Sequence, residues 1–190
     1  MLEQTGDLAV LHVTLGFLGH YYGQRNEVEL AAQYLDRALA LAAETDSYVF
    51  VPFLQAFRAE IEIKAGRHAE AMAIANRAVE LGQQTRQQAG EAEAHRVLGW
   101  AIFHGLPDGR QQAEGELRQA LEIDRRIGAR VIEARTLFEL ADFLRQVGDE
   151  AQAATTSAEA ASIAAECGLH WLPLPSPSPL SDSEPRKVDA

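Results

Sequence analysis

Few groups in this chain are spaced to do chemistry. Cys167 and His170 lie three residues apart, a spacing at which a thiolate and an imidazole can share a metal or form a nucleophile–base pair. Two ligands fall short of the three or four protein donors of a zinc site, and no neighbouring residue marks an oxyanion site or orients the imidazole. A cysteine at a helix end and a histidine in a loop is the plainer reading. The acid pairs Glu60/Glu62 and Glu91/Glu93 read as solvated helix faces rather than general acid–base pairs. No Gly-x-x-x-x-Gly-Lys string, His-Glu-x-x-His motif or paired cysteines occur. The expectation is a chain with no catalytic residues, no metal ligands and no cofactor: not an enzyme.

What the sequence specifies strongly is the scaffold. Gly19, Ala59, Gly99 and Ala141 form one series of small residues; Ala31, Ala71, Ala113 and Ala153 a second; Ala38, Ala78, Ala120 and Ala160 a third. The steps are 12, 7 and 21, repeated, with one 14 at the loop Gly105-Leu106-Pro107-Asp108-Gly109. A helix–turn–helix unit recurring about every 40 residues is a solenoid. Small side chains let two helices approach to roughly 8–10 Å. The first series should admit the second helix of each hairpin, the second should face it, and the third should let the following hairpin stack.

Composition sets outer limits. The 190 residues carry a formal charge of −11 and an isoelectric point near 5.0, against the basic face that nucleic acid or an anionic membrane requires. One cysteine excludes an internal disulfide framework and suits a reducing, cytoplasmic compartment. Met1-Leu2-Glu3-Gln4 does not resemble a signal peptide, and no apolar run reaches the ~18 residues of a membrane span.

Apolar periodicity predicts eight helices: about 7–24, 28–44, 51–66, 68–84, 90–104, 111–127, 131–147 and 150–166. Asn26, Gly66, Gly128, Gly148 and Gly168 are expected stops. Asp46 or Ser47 is a candidate cap for the third helix, which starts near Val51 or is distorted at Pro52. The repeats span about 8–46, 47–86, 88–128 and 129–171, within a domain of 1–172. The Pro/Ser-rich stretch 173–190 is expected to be a disordered tail.

These residues resemble the tetratricopeptide repeat. Repeat one reads Leu18-Gly19, Tyr22, Asn26, Ala31, Leu35, Ala38; repeat four reads Leu140-Ala141, Leu144, Gly148, Ala153, Ser157, Ala160. Repeat three matches through Leu98-Gly99, Ile102, Ala113, Leu117 and Ala120, while repeat two keeps its small residues but has Arg58 and Glu62 in place of apolar ones. The proline that usually closes the second helix is absent; Ala43, Gln83, Arg125 and Ala165 stand there, so the second helices run longer. This long form is similar to the carboxy-terminal repeats of bacterial signalling ATPases, class III adenylate cyclases and LuxR- or MalT-like regulators. The stretches His12 to Ala38 and Ala65 to Ala71 and the ending Glu166-Cys167-Gly168-Leu169-His170-Trp171 carry that likeness, and the chain starts within a helical pattern, as a piece of a longer array would.

The resemblance implies an all-α, right-handed α-solenoid of four helix–turn–helix repeats whose first helices line a concave groove. Carried over residue by residue, the groove holds His20 and Gln24 from repeat one, and Phe53, Glu60 and Lys64 from repeat two. Repeat three gives Arg96, Trp100 and His104, and repeat four Phe138, Asp142 and Arg145. Trp100 beside Arg96 is either an interface anchor or packing between hairpins. The positions for a two-carboxylate clamp hold Gly16 and His20, so chaperone-tail binding is not implied. The implied role is a regulatory protein-interaction scaffold, the sensor part of a larger ATPase, cyclase or transcription regulator. The implied partner is a protein or peptide segment, or another domain of the parent chain. A metabolite sensor is the alternative. Self-association is another, because the first helix is apolar nearly all round and could form a homodimer.

Overall fold

The computed structural model describes residues 2–169. The expected tail at 173–190 lies outside them, as does His170, so the Cys167–His170 pair has no described geometry. Eight helices follow one another: α1 (Leu2–Gln24), α2 (Val28–Glu44), α3 (Val51–Lys64), α4 (His68–Thr85), α5 (Gln88–Gly105), α6 (Arg110–Ile127), α7 (Arg130–Gln146) and α8 (Glu150–Glu166). Among the described residues there is no strand, and no helix is long and apolar enough to cross a membrane. The described residues form an all-α solenoid of four helix hairpins.

A left-handed residue follows seven of the eight described helices, all but α5. Asn26, Gly66 and Gly148 are left-handed, with φ of 61°, 75° and 84°, at one shared position after α1, α3 and α7. Asp46, Arg86, Gly128 and Gly168, with φ of 54°, 57°, 68° and 70°, hold one position after α2, α4, α6 and α8. A left-handed residue lets its N–H reach back to the carbonyls that the helix leaves unpaired. Asp46 therefore ends α2 rather than capping α3. Nor does Ser47 cap it: α3 begins after Phe50 with no side-chain cap, and Pro52 sits in the first turn, where a missing N–H costs nothing. The second helices run on six or seven residues past Ala38, Ala78, Ala120 and Ala160, as absent prolines allow.

All twelve small residues of the three series are buried. At Gly19 an added Cβ would lie 2.6 Å from Leu35 Cγ and 3.1 Å from the Ala31 carbonyl; at Gly99 it would lie 2.9 Å from Leu117 Cγ and 3.0 Å from the Ala113 carbonyl. The first series thus meets the second within each hairpin. One core runs through α3 to α8, while α1 and α2 join α3 through two smaller clusters around Leu35 and Leu54.

Repeat two's two departures compensate each other. Glu62 is fully buried at the hairpin-core position and pairs with Arg58, which stands in the usual leucine column, and with Arg67 in the turn; Arg58 also reaches Asp36 on α2 at 2.8 Å. The expectation that Glu60/Glu62 and Glu91/Glu93 are solvated faces is corrected here. Glu60, Glu62 and Glu93 are buried and Glu91 is half-buried, because cations on other helices or turns stand opposite the buried ones.

Candidate binding face of the first helices

Helices α1, α3, α5 and α7 contribute one continuous strip of side chains, and its centre is a closed charge network. Arg96 on α5 occupies the middle. Its Nη2 donates to Glu93 Oε1 at 2.6 Å and to Glu60 Oε2 on α3 at 3.2 Å, and its Nη1 donates to Glu139 Oε2 on α7 at 2.7 Å. Arg135 on α7 pairs with Glu93 and stands 4.0 Å from Glu139 Oε1. On the other side, Gln24 donates to Glu60 Oε1 at 3.0 Å, and Lys64 pairs with the same oxygen at 3.7 Å while donating to the Gly23 carbonyl at 2.6 Å. Trp100 Nε1 completes the strip with a 2.9 Å bond to Glu139 Oε2.

Three carboxylates face three cations, and that balance is what permits burial, because an unpaired charge in the interior costs several kcal/mol. Burial pushes the Glu93 carboxyl up, but Arg135 and Arg96 outweigh it and hold Glu93 well below the usual carboxylate range. Glu60 is lowered in the same way, burial being overcome by Arg96, His20 and Lys64. Burial opposes the Arg96 charge, yet Glu139, Glu93 and Glu60 raise it well above its ordinary value. Burial also lowers the His20 imidazole, more than Glu60 and Glu93 raise it.

The sequence-derived site residues divide by access. Glu60, Arg96 and Trp100 are buried, and the Lys64 side chain is 2% exposed; all four are bonded within the protein. Trp100 has no exposed surface, so it is core rather than a groove anchor, with Phe143 at 6.4 Å and His104 stacked at 5.7 Å between ring centroids. His20, Phe53, His104, Phe138 and Asp142 are half-buried, and Gln24 and Arg145 are exposed.

The accessible residues gather at two ends. At the amino-terminal end, Phe17, His20, Phe50, Phe53 and Phe57 form an aromatic cluster. His20 stacks on Phe57 at 4.2 Å and Phe53 on Phe50 at 4.8 Å, while Phe17 lies 5.4 Å from Phe50 with half its surface exposed. At the carboxy-terminal end, Asp142 and Arg145 stand 3.8 Å apart beside Phe138. Burial raises the Asp142 carboxyl against a bond from Gln146 and the charge of Arg145. Burial and then His68 lower His104.

Sequence reasoning missed Glu93, Arg135 and Glu139 as members of the strip, and Phe17, Phe50 and Phe57 as members of the cluster. The Glu93–Arg96 and Arg135–Glu139 spacings carried a local signal. The bonds between helices, one repeat apart, did not.

Nothing in this arrangement pairs a nucleophile with a base, and among the described residues no group of three or more His, Cys, Asp or Glu is placed to hold a metal. What it offers is surface. No protein-family model matches the chain, and no curated protein sequence matches it significantly. Solved structures do. A Rap protein complexed with competence and sporulation factor aligns with a TM-score of 0.73 at 16% identity, over 86% of this chain and 44% of that one. The apo form of RapI gives 0.66 at 18%, over 85% and 57%. BtubC (BKLC) from P. vanneervenii gives 0.63 at 20%, over 85% and 66%.

The fold is a helical-repeat solenoid.

At these identities the likeness speaks for the fold alone, and the chain spans between 44% and 66% of the length of these proteins.

Proposed function

We propose that this chain is a protein-interaction scaffold whose first-helix face takes a peptide or protein segment, with the aromatic amino-terminal end as its main contact. The half-exposed cluster of Phe17, His20 and Phe53 beside the exposed Gln24 carries this reading, since aromatic groups with a neighbouring polar handle suit an interface. The locked strip next to it supplies a rigid wall, which lowers the entropy lost on binding. A solved structure of similar fold is a complex with competence and sporulation factor, which adds support. The repeats act as the regulatory part of a larger signalling ATPase, cyclase or transcription regulator, in line with the sequence resemblance, and restrain its catalytic part until the face is occupied.

Peptides selected from a random display library against the chain test the reading. Their affinity should fall about tenfold or more in Phe53→Ser, roughly 1.4 kcal/mol, and stay unchanged in Gln33→Ala on the exposed side of α2. Selected peptides that bind Phe53→Ser as tightly as the parent, with the fold intact by circular dichroism, would overturn it.

A further inference from the structure

Three side chains with donor atoms meet where repeat two joins repeat three, and the repeat requires none of them. His68 opens α4, Met72 follows one helical turn later on the same face, and His104 stands in the last turn of α5. At the His68 position the other repeats have Val28, Arg110 and Glu150. At the Met72 position they have Ala32, Glu114 and Ala154, and at the His104 position Gln24, Lys64 and Gln146. None of the three belongs to the small-residue series that bring the helices together.

They converge on one place. The His68 and His104 rings lie 5.8 Å apart between centroids. A Cβ added to Gly105, the residue after His104, would lie 2.9 Å from His68 Cβ and 3.2 Å from Met72 Cε. The end of the Met72 side chain thus sits beside His68, against the backbone that carries His104. With metal–nitrogen bonds of about 2 Å, two imidazoles on one ion hold their ring centroids about 5–6 Å apart. The observed separation falls in that range. His104 also stacks on the buried Trp100 at 5.7 Å and meets Phe103 at 5.3 Å, which fixes its ring. Its Nε2 is buried and has no hydrogen-bond partner. Burial and then His68 lower its pKa, which favours the uncharged ring that a metal ion requires.

The donor chemistry selects the ion. Among the described residues no carboxylate or thiol joins the two imidazoles as a third donor, so the ligands that hold calcium, magnesium or a structural zinc are missing. A thioether stands there instead, a soft donor that selects Cu(I). From this convergence we infer that His68, Met72 and His104 form a three-coordinate site for a soft monovalent cation, Cu(I), which clasps α4 of repeat two to α5 of repeat three. Each imidazole gives one nitrogen to the ion and keeps the other for a protein or water partner. Phe53 takes no part in this site and Met72 none in the proposed peptide face, so either reading can fail alone.

The test uses the Cys167→Ser chain, which lacks the one thiol that competes for soft cations. Met1 and Met72 are the only methionines, so carbon-13 labelling of the methionine methyls gives two signals. Ag(I), a redox-inert stand-in for Cu(I), should at one equivalent shift the Met72 methyl and the ring signals of His68 and His104, and leave Met1 in place. Competition with a chromogenic Cu(I) chelator should show a single site. Met72→Leu conserves volume and keeps the fold, checked by circular dichroism. It should weaken that site by more than the about tenfold that losing an outer-shell partner costs. A chain with no saturable binding of either cation overturns the inference. Imidazole shifts with the Met72 methyl unmoved, or equal Cu(I) affinity in Met72→Leu, overturn it too, because the thioether is then packing alone.

Discussion

Equivalent positions on the first helices meet opposite fates. His20, Glu60, Trp100 and Asp142 occupy the same place in the four repeats, yet Glu60 and Trp100 are buried while His20 and Asp142 are half-exposed. Gly16, Ala56, Arg96 and Phe138 share another. In the middle of the array the residues are long and cross to the neighbouring first helix: Arg96 reaches both Glu60 and Glu139, and Trp100 bonds Glu139. At the amino-terminal end the corresponding residue is glycine, and aromatic rings rest on one another. The repeat sets the direction of a side chain; the neighbouring repeat sets whether it is spent on the fold or left for a partner.

Removing the central cation should separate the two regions most. Arg96→Met leaves the buried Glu60 and Glu93 and the half-buried Glu139 with too little positive charge, and should cost about 3–5 kcal/mol in urea unfolding. His20→Ala at the open end removes one stacked contact and should cost about 1 kcal/mol. Similar losses from the two would break the comparison.

Asp124 sharpens it, as a buried carboxylate with no cation bonded to it. Thr136 donates to its Oδ2 at 2.7 Å, while Oδ1 has no hydrogen-bond partner. Burial raises its pKa to about 6 against the Thr136 bond. A folded pKa above the unfolded value of about 3.9 means that the charged form destabilises the fold. The cost is fully present above about pH 6 and fades as pH falls towards about 4. Asp124→Asn should therefore stabilise the protein by about 1–3 kcal/mol at pH 7, with the gain shrinking to nothing near pH 4. Glu93 and Glu60, lowered by their cations, act in the opposite sense: their contribution is present at neutral pH and lost only as pH falls below the ordinary carboxylate range. Melting temperatures from pH 7 to 4 check the sign for Asp124, and their continuation down to about pH 2 checks it for Glu93 and Glu60.

Trp100→Phe keeps an aromatic ring but shrinks it and deletes the donor to Glu139, whose charge Arg96 still meets, so a loss of about 1–3 kcal/mol is expected. It should leave affinity for a ligand of the open end unchanged. The smallest effect is a backbone control away from both regions. Arg86 sits at φ 57° where Gly128 and Gly168 stand in later repeats, and Arg86→Gly should gain about 0.5–1 kcal/mol, read as a higher melting temperature.

The spacing of small residues made the hairpins legible because close helix approach excludes large side chains wherever it occurs. All twelve positions that it marks are buried. The same register would have pointed to left-handed backbone at Asp46 and Arg86, which residue type alone hides. The site was legible only as helix positions. The burial of Arg96 and Trp100 depends on Glu60 and Glu139, which come from other repeats, 36 and 43 residues from Arg96. The burial of Glu62 likewise depends on Arg58, one helical turn before it, and on Arg67, which neutralise it. Charge complementarity across repeats has no period of its own to read.

Hydroxyl-radical footprinting with residue-resolved mass spectrometry, on the free chain and on its complex with a selected peptide, tests the division of this face most directly. Phe17, His20 and Phe53 should oxidise readily in the free chain and be protected in the complex, while Trp100 stays unmodified in both. Oxidation of Trp100 at a rate comparable to Phe53, or protection of Trp100 by the peptide, would contradict the account.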